Sequence, residues 1–333
     1  MSPDTLVAPT VHAPPLAYAP PARQSVAPEA RLDALLRTAG DLIAAGDAAG
    51  AIALLVPGLA ALRAEMDAAA WATLCRERCL AHPVAALLRE DPFIGRAYAK
   101  PRGYPGDAGI LDLIYGAVPV PAGTSVLGRA LHGVSIESAG CRSVRERREI
   151  LSHAIDAAAH RAPGTARVLS VACGHLREAE SSVAVRAGAL GAFHALDQDP
   201  VSIALLGETH TALGVTPIVG SVGDLIRGRV SLEPLQLAYA AGLYDYLPAD
   251  VAARLTARLF AMLAPGGRLL VANFCPELGD AAFMEAVMDW WLIYRGDDEV
   301  AAFAAEVPAA QVATRRVFRD SVGVVAYLEI ERA

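Results

Sequence analysis

The chain has 333 residues, 54% of them hydrophobic, and a formal net charge of −7. That is enough apolar material for one large domain or two ordinary ones, and the acidic balance disfavours nucleic acid as a partner because phosphate backbones are repelled. No apolar run reaches about eighteen residues, and the start of the chain lacks a basic segment leading into an apolar one, so no membrane span and no secretory signal are expected and the reading is cytoplasmic.

Residues 1–28 carry seven prolines among Ala, Val and Ser without periodicity, which predicts a disordered arm. From Leu32 to Arg89 apolar residues recur at three- and four-residue spacing, as in Leu32, Leu35, Leu36 and then Leu54, Leu55, Leu59, Leu62, with Gly46, Gly50 and Pro57 as breakers. This pattern predicts a helical subdomain. Asp91-Pro92-Phe93 can open a further helix, Lys100 to Gly109 is dense in Pro and Gly and reads as a structured loop, and helical pattern returns over Ile110 to Tyr115. A longer helix is predicted over 142–160, with Val144, Arg148, Leu151, Ile155 and Ala158 on one stripe. Residues 29–160 are therefore expected to form a helical unit, and 161–333 a second unit of different grammar.

After Pro163-Gly164 strands and helices alternate. Strands are predicted at 167–172, 192–196, 216–219, 235–240, 267–273, 314–319 and 322–330, with helices around 176–188, 200–212, 249–263 and 280–294. Such alternation implies an α/β, doubly wound parallel sheet, and the last two strands, joined at Asp320-Ser321, suit an antiparallel hairpin at its edge. Five cysteines, Cys75, Cys79, Cys141, Cys173 and Cys275, lack paired metal spacing and read as reduced thiols with no metal site. The single lysine, Lys100, heads the run Lys100-Pro101-Arg102-Gly103-Tyr104.

Val168 to Glu178 reads as a buried strand, a small-residue turn and a helix, with Asp197 and Asp199 about twenty residues on, the layout of a nucleoside-cofactor site. Only Gly174 remains of a dinucleotide glycine pattern, since Ala172, Leu176 and Arg177 fill neighbouring positions, so a cofactor without phosphates fits better.

These motifs, taken in order, resemble the class I S-adenosylmethionine-dependent methyltransferases over residues 165–332. The resemblance implies a seven-stranded Rossmann-like sheet with an antiparallel last strand and S-adenosyl-L-methionine as cofactor. It would place the methionyl part at Ala172, Cys173, Gly174 and His175, the ribose on Asp197 with Gln198 beside it, and adenine near Ser221 and Val222. Ala241-Gly242-Leu243-Tyr244-Asp245-Tyr246 occupies the fourth-strand motif, and Leu263-Ala264-Pro265-Gly266-Gly267 the turn before strand five. The family usually has glycine where this chain has Ala172 and Leu176. Asp91-Pro92-Phe93, Lys100 to Asp107 and Leu113-Ile114-Tyr115 resemble a narrower bacterial branch associated with fatty-acid methyl esters and with cyclisation of S-adenosylmethionine to azetidine-2-carboxylate.

Methyl transfer is in-line displacement at a sulfonium carbon and chiefly needs positioning and exclusion of water. A carboxylate acceptor needs no base; an amine or phenol does, and Asp245, His175, Tyr244 and Tyr246 are candidates. Cyclisation would need an arginine anchor for the carboxylate, Arg147 or Arg177, and aromatic walls, for which Tyr104, Tyr115, Tyr244 and Tyr246 serve. The leading expectation is methyl transfer to a small molecule such as a carboxylate of secondary or signalling metabolism; the alternatives are the cyclase, with the cofactor as its own substrate, and a non-catalytic cofactor-binding protein. Tyr104 to Asp107 is expected as a lid, and Trp290-Trp291-Leu292 as core or the surface of a homodimer. Asn273-Phe274-Cys275-Pro276 looks like the signature of amino-methylating nucleic-acid enzymes but follows the fifth strand, not the fourth, and is set aside.

Overall fold

The structure, a computed structural model, describes residues 27–333. The arm expected at 1–28 lies outside the described residues up to 26, while Ala27 and Pro28 already open the first helix, proline at its first position needing no hydrogen-bonded N–H. Among the described residues eight α-helices precede the sheet: α1 (Pro28–Ala44), α2 (Ala48–Ala64), α3 (Ala68–Leu74), which runs on into a π-helical turn (Cys75–Cys79), α4 (Pro83–Leu88), α5 (Pro92–Ala99), α6 (Ala108–Tyr115), α7 (Val126–Ser135) and α8 (Ala139–Arg161). Their starts are written in side chains. Asp91 accepts from Phe93 N at 2.8 Å to open α5, Asp107 from Ile110 N at 2.9 Å to open α6, and Ser125 from Gly128 N at 2.9 Å to open α7. Helix α5 stops where Lys100 turns left-handed (φ 48°), and α6 where Gly116 does (φ 65°). Helix α7 has no counterpart in the sequence reading, because Gly128 and Gly133 dilute its pattern. Gly128 is required there, since a Cβ would collide with the Glu90 carbonyl.

The sheet comprises β1 (Arg167–Val171), β2 (Ala192–Asp197), β3 (Val215–Val219), β4 (Leu235–Ala240), β5 (Leu263–Phe274), β6 (Val312–Arg319) and β7 (Val325–Arg332), in the order β3-β2-β1-β4-β5-β7-β6. Strands β1 to β5 are parallel and β7 runs antiparallel to both β5 and β6. This is a doubly wound, Rossmann-like sheet whose last strands run antiparallel. The order reverses between β1 and β4, and that switch point leaves a crevice at the carboxyl ends where open α/β sheets bind ligands.

The intervening helices are α9 (Arg177–Ser181), α10 (Val183–Arg186), α11 (Pro200–Thr209), α12 (Val222–Ile226), α13 (Ala249–Ala261), α14 (Ala281–Met288) and α15 (Asp297–Ala301). Helices α12 and α15 have no counterpart among the predicted elements, and three other departures have local causes. The helix expected over 176–188 is cut at Ser182, whose hydroxyl caps α10 and donates to Asp156 at 2.5 Å. The helix expected to reach 294 ends at Met288, because Asp289 turns left-handed (φ 48°) and the following chain is pinned by bonds from Ile293 N to Asp245 O (2.8 Å) and Arg295 N to Phe274 O (3.0 Å). The final turn is longer than Asp320-Ser321: Asp320 Oδ1 accepts from the backbone of Gly323, Val324 and Val325, so β7 begins at 325 rather than 322.

The core has two parts. One joins the N-terminal helices to one sheet face through residues such as Leu36, Leu55, Trp71, Ile110, Ile155, Val168 and Leu270; the other packs α12, α13 and α15 on the opposite face through Leu225, Leu255, Phe260 and Val300. No helix among the described residues is long and apolar enough to cross a membrane.

Candidate active site

A cavity of about 800 Å³ opens at the switch point and extends into the N-terminal helices. Its sheet end is built from the turn after β1. Ala172, Gly174 and Leu176 all adopt positive φ (53°, 53° and 52°), so the backbone coils tightly enough to leave Ala172, Cys173 and Gly174 lining the cavity. Cys173 N donates to Leu196 O at 3.1 Å and Gly174 N to Asp197 Oδ2 at 2.8 Å, which locks the turn to the tip of β2. Asp197 and Gln198 line the same space, as do Gly220 and Val222 beyond β3. Ser221 does not: its hydroxyl caps α12 in a reciprocal pair with Asp224.

His175 and Arg177 stand behind the turn, outside the cavity lining. His175 Nδ1 lies 2.8 Å from Asp112 Oδ2, and Arg177 grips the same carboxylate with Nε and a terminal nitrogen at 2.7 and 2.8 Å while also reaching Glu180 at 2.6 Å. Burial alone would raise the Asp112 pKa, yet the Arg177 and His175 hydrogen bonds pull it down to about 2. These residues buttress the turn. Glu178 is likewise internal, bonded to Tyr239 at 2.7 Å and pushed up by burial.

The loop between α5 and α6 contributes Arg102, Gly103, Tyr104 and Gly106 to the cavity lining. Lys100 Nζ bonds Asp289 Oδ2 at 2.5 Å, and Arg102 donates to Asp199 Oδ2 at 2.7 Å and Ser202 at 2.8 Å while facing His175 Nε2 at 3.3 Å. Gly106 fits because a Cβ would sit 2.6 Å from Tyr246 Oη and 2.9 Å from the Trp290 ring. Ala108, two residues on, lies so close to the β1 turn that a Cβ on Gly174 would be 3.1 Å from its own Cβ. Tyr104 lines the cavity, and burial, helped by the charges of Asp197 and Asp199, pushes its phenol up to about 12.

At the fourth-strand tip the neighbouring residues diverge. Tyr244 is fully buried away from the cavity, its hydroxyl 2.9 Å from Thr256 Oγ1 and its ring 5.0 Å from that of Phe303; it is core and touches no ligand space. Asp245 lines the cavity. Its Oδ1 accepts from Phe274 N at 2.7 Å, and burial pushes its pKa up to about 6 against the pull of that bond and of Arg147 and Arg295. Arg147, 5% exposed, also lines the cavity. Burial works against its charge, but Tyr115, Tyr327 and Asp245 around it hold the proton more firmly than usual. Its terminal nitrogen bonds the carbonyl of Ala241, which anchors the arginine from behind the lining. Tyr115 lies outside the lining, beneath Arg148 at 5.1 Å. Tyr246 does line the cavity, its hydroxyl accepting from Trp290 Nε1 at 2.9 Å.

Several lining residues carried no sequence signal of that role. Trp290 is buried in the core with Trp291 and Leu292 packed against that core, as expected, and Trp290 and Leu292 line the cavity as well, while Trp291 is tied to Asp289 at 2.8 Å. Asn273 is structural, donating to Ile293 O at 2.9 Å and accepting from Arg295 at 2.9 Å. All five cysteines are free and buried, and no group of acidic, His or Cys side chains among the described residues is arranged to hold a metal ion.

No protein-family model matches the chain, and no curated protein matches it in sequence. Solved structures do. A Bordetella parapertussis protein described as a possible exported protein superposes with a TM-score of 0.58 at 17% identity, over 80% of this chain and 97% of its own. Magnesium protoporphyrin IX methyltransferase from Synechocystis PCC 6803 with bound S-adenosylhomocysteine gives 0.45 at 12% identity, over 73% and 100%. The N-methyltransferase NodS from Bradyrhizobium japonicum WM9 gives 0.39 at 14% identity, over 56% and 95%. At these identities the likeness concerns the fold.

Proposed function

We propose that the chain is an S-adenosylmethionine-dependent methyltransferase that acts on a small molecule carrying a carboxylate on an apolar body. The observation that carries this reading is the continuity of one cavity. Its sheet end offers small residues and an acid, Ala172, Cys173, Gly174 and Asp197, for a phosphate-free nucleoside; its helical end is mostly apolar; Arg147 and Asp245 stand within it. At about 800 Å³ the cavity lies toward the upper end of the ~300–1,000 Å³ usual for ligand pockets, which leaves room for a second molecule beside the donor.

In this reading Asp197 takes the ribose hydroxyls and the open turn receives the methionyl group. Arg147 brings a firmly held positive charge to the cavity lining beside Asp245, whose ionisation burial holds back, and so offers an anionic acceptor a partner. The acceptor oxygen attacks the methyl carbon as the carbon–sulfur bond breaks toward sulfur, leaving an ester and S-adenosylhomocysteine. Such an oxygen carries no proton, so the step needs positioning and dryness only. The loop from Lys100 to Asp107 acts as the lid that supplies the dryness, and α1 to α8 as the unit that shapes the acceptor chamber.

Cyclisation of the donor is the second reading, favoured by the pairing of a buried arginine with a carboxyl group of raised pKa. There the donor's own amine would attack its γ-carbon, methylthioadenosine would leave, and Asp245 would take the amine proton. An apolar chamber has no part in that chemistry. Mass spectrometry of the purified protein with S-adenosylmethionine, alone and with straight-chain and aromatic carboxylic acids, separates the cases. Acceptor-dependent S-adenosylhomocysteine and methyl ester are expected; acceptor-independent methylthioadenosine with azetidine-2-carboxylate would replace the reading by the cyclase, and tight binding without product by a non-catalytic protein.

A further inference from the structure

We propose that Ile52 and Val56 on α2 form the end stop of the acceptor chamber and set the length of hydrocarbon the site admits; the proposal rests on the methyl-transfer reading of this cavity. The two residues are four apart on one helix face, partly buried, and line the same cavity as Cys173 and Gly174. Helix α2 packs chiefly on α1, α7 and α14, so its side chains close the end remote from the sheet. Phe93, Val134, Phe283 and Met284 line the same cavity and add to its apolar wall.

Four polar side chains of the N-terminal helices and α14 that also border the cavity are already engaged. Ser135 Oγ donates to Leu131 O at 2.9 Å, Ser138 Oγ accepts from Cys141 N at 3.3 Å, Asp280 accepts from Gly140 N at 2.9 Å and Glu137 pairs with Arg145 at 3.0 Å. A chamber of this kind rewards methylene groups and penalises hydroxyls or charges along the body, which would lose water without gaining a partner. The stop is also held from behind. A Cβ on Gly58, two residues after Val56, would sit 2.7 Å from Leu35, so the α2 backbone already lies hard against α1 and has no room to withdraw.

The test uses the full-length protein saturated with S-adenosylhomocysteine, and straight-chain carboxylic acids of increasing length displacing the fluorescent probe anilinonaphthalene sulfonate. Affinity should tighten by about fourfold per added methylene, the equivalent of about 0.8 kcal/mol, up to a cut-off length and then level. Val56→Phe should move the cut-off to shorter chains and Ile52→Ala to longer ones, with S-adenosylhomocysteine affinity unchanged in both, a control that also reports folding. A cut-off shared by all three proteins, or affinity indifferent to chain length, overturns the proposal. Turnover with S-adenosylmethionine is read in parallel: a length ladder that shifts with the variants but yields no S-adenosylhomocysteine sustains the end stop and overturns the methyl-transfer reading alone.

Discussion

Replacing Asp112 with Asn removes the charge that holds the β1 turn from behind while keeping the side-chain shape. In the folded protein the Asp112 carboxylate, 4% exposed, takes two bonds from Arg177 and lies beside His175 Nδ1, and its pKa falls from an ordinary 3.8 to about 2. At about 1.36 kcal/mol per pH unit, that depression corresponds to roughly 2.5 kcal/mol of stability at neutral pH. Because the folded pKa is the lower one, the contribution is complete above the unfolded pKa, near 4, and drains away as pH falls toward 2. Asp112→Asn should therefore lower stability at pH 7 by about 2–3 kcal/mol, and Tm by about 5–10 °C at the few degrees per kcal/mol usual for large domains. The assay is thermal and urea unfolding of both proteins in steps from pH 7 down to the lowest pH at which both remain folded. The two curves should converge below about pH 4. A difference that stays constant across that range would assign the loss to packing and refute the charge argument.

Three further outcomes are expected. Asp197→Ala should weaken S-adenosylmethionine and S-adenosylhomocysteine binding by about 1–3 kcal/mol in isothermal titration, since it removes charged hydrogen bonds; unchanged affinity would remove the ribose assignment. For a carboxylate acceptor, kcat/KM should fall as pH rises through about 6, because ionised Asp245 repels the acceptor and competes for Arg147, and Asp245→Asn, which can still accept from Phe274 N, should flatten that limb; an activity that rises through the same pH would point to a proton-bearing acceptor. Ala172→Gly should stabilise the protein by about 0.5–1 kcal/mol in urea unfolding, since it relieves left-handed strain at an exposed side chain, whereas Leu176→Gly should destabilise by about 1–3 kcal/mol because the buried leucine is worth more than the strain.

What the sequence made legible followed from local patterns. All seven strands were visible in the alternation of strand and helix, even β6 with Arg315, Arg316 and Arg319 in it, and the turn at Gly174 and the acid Asp197 were visible as a strand-turn-helix with an acid about twenty residues on, though not the bond between them. What stayed hidden was set by partners far apart in the chain. Arg102 meets Asp199 ninety-seven residues away, Lys100 meets Asp289 at a separation of 189, and Arg63 meets Glu285 at 222. Nothing local marks such residues, nor does anything local separate Ile52 and Val56, which line the cavity, from Leu55 and Leu59, which pack in the core. Tyr244 and Asp245 illustrate a different limit: both stand at the strand tip, but the tight 3₁₀ turn over Tyr244–Tyr246 sends successive side chains about 120° apart, so only some of the three can face the cavity.

The turn after β1 shows why a missing glycine pattern misleads. Glycine is favoured at a left-handed position because it has no Cβ to strain, at a saving of about 1–2 kcal/mol. Ala172 and Leu176 occupy such positions without being glycine, at φ 53° and 52°, and the conformation persists because Cys173 N, Gly174 N and Leu176 N are each bonded, to Leu196 O, Asp197 Oδ2 and Cys173 O. The glycine that does remain answers to a second constraint: at Gly174 a Cβ would press on Ala108 at 3.1 Å as well as suffer the positive φ. Strain alone can be offset by neighbouring bonds, whereas strain combined with the close approach of α6 leaves little room for a side chain. The shape of the turn, rather than its glycine count, is therefore what the candidate cofactor site preserves, and α6 is part of that site because its packing fixes which residue the turn can carry.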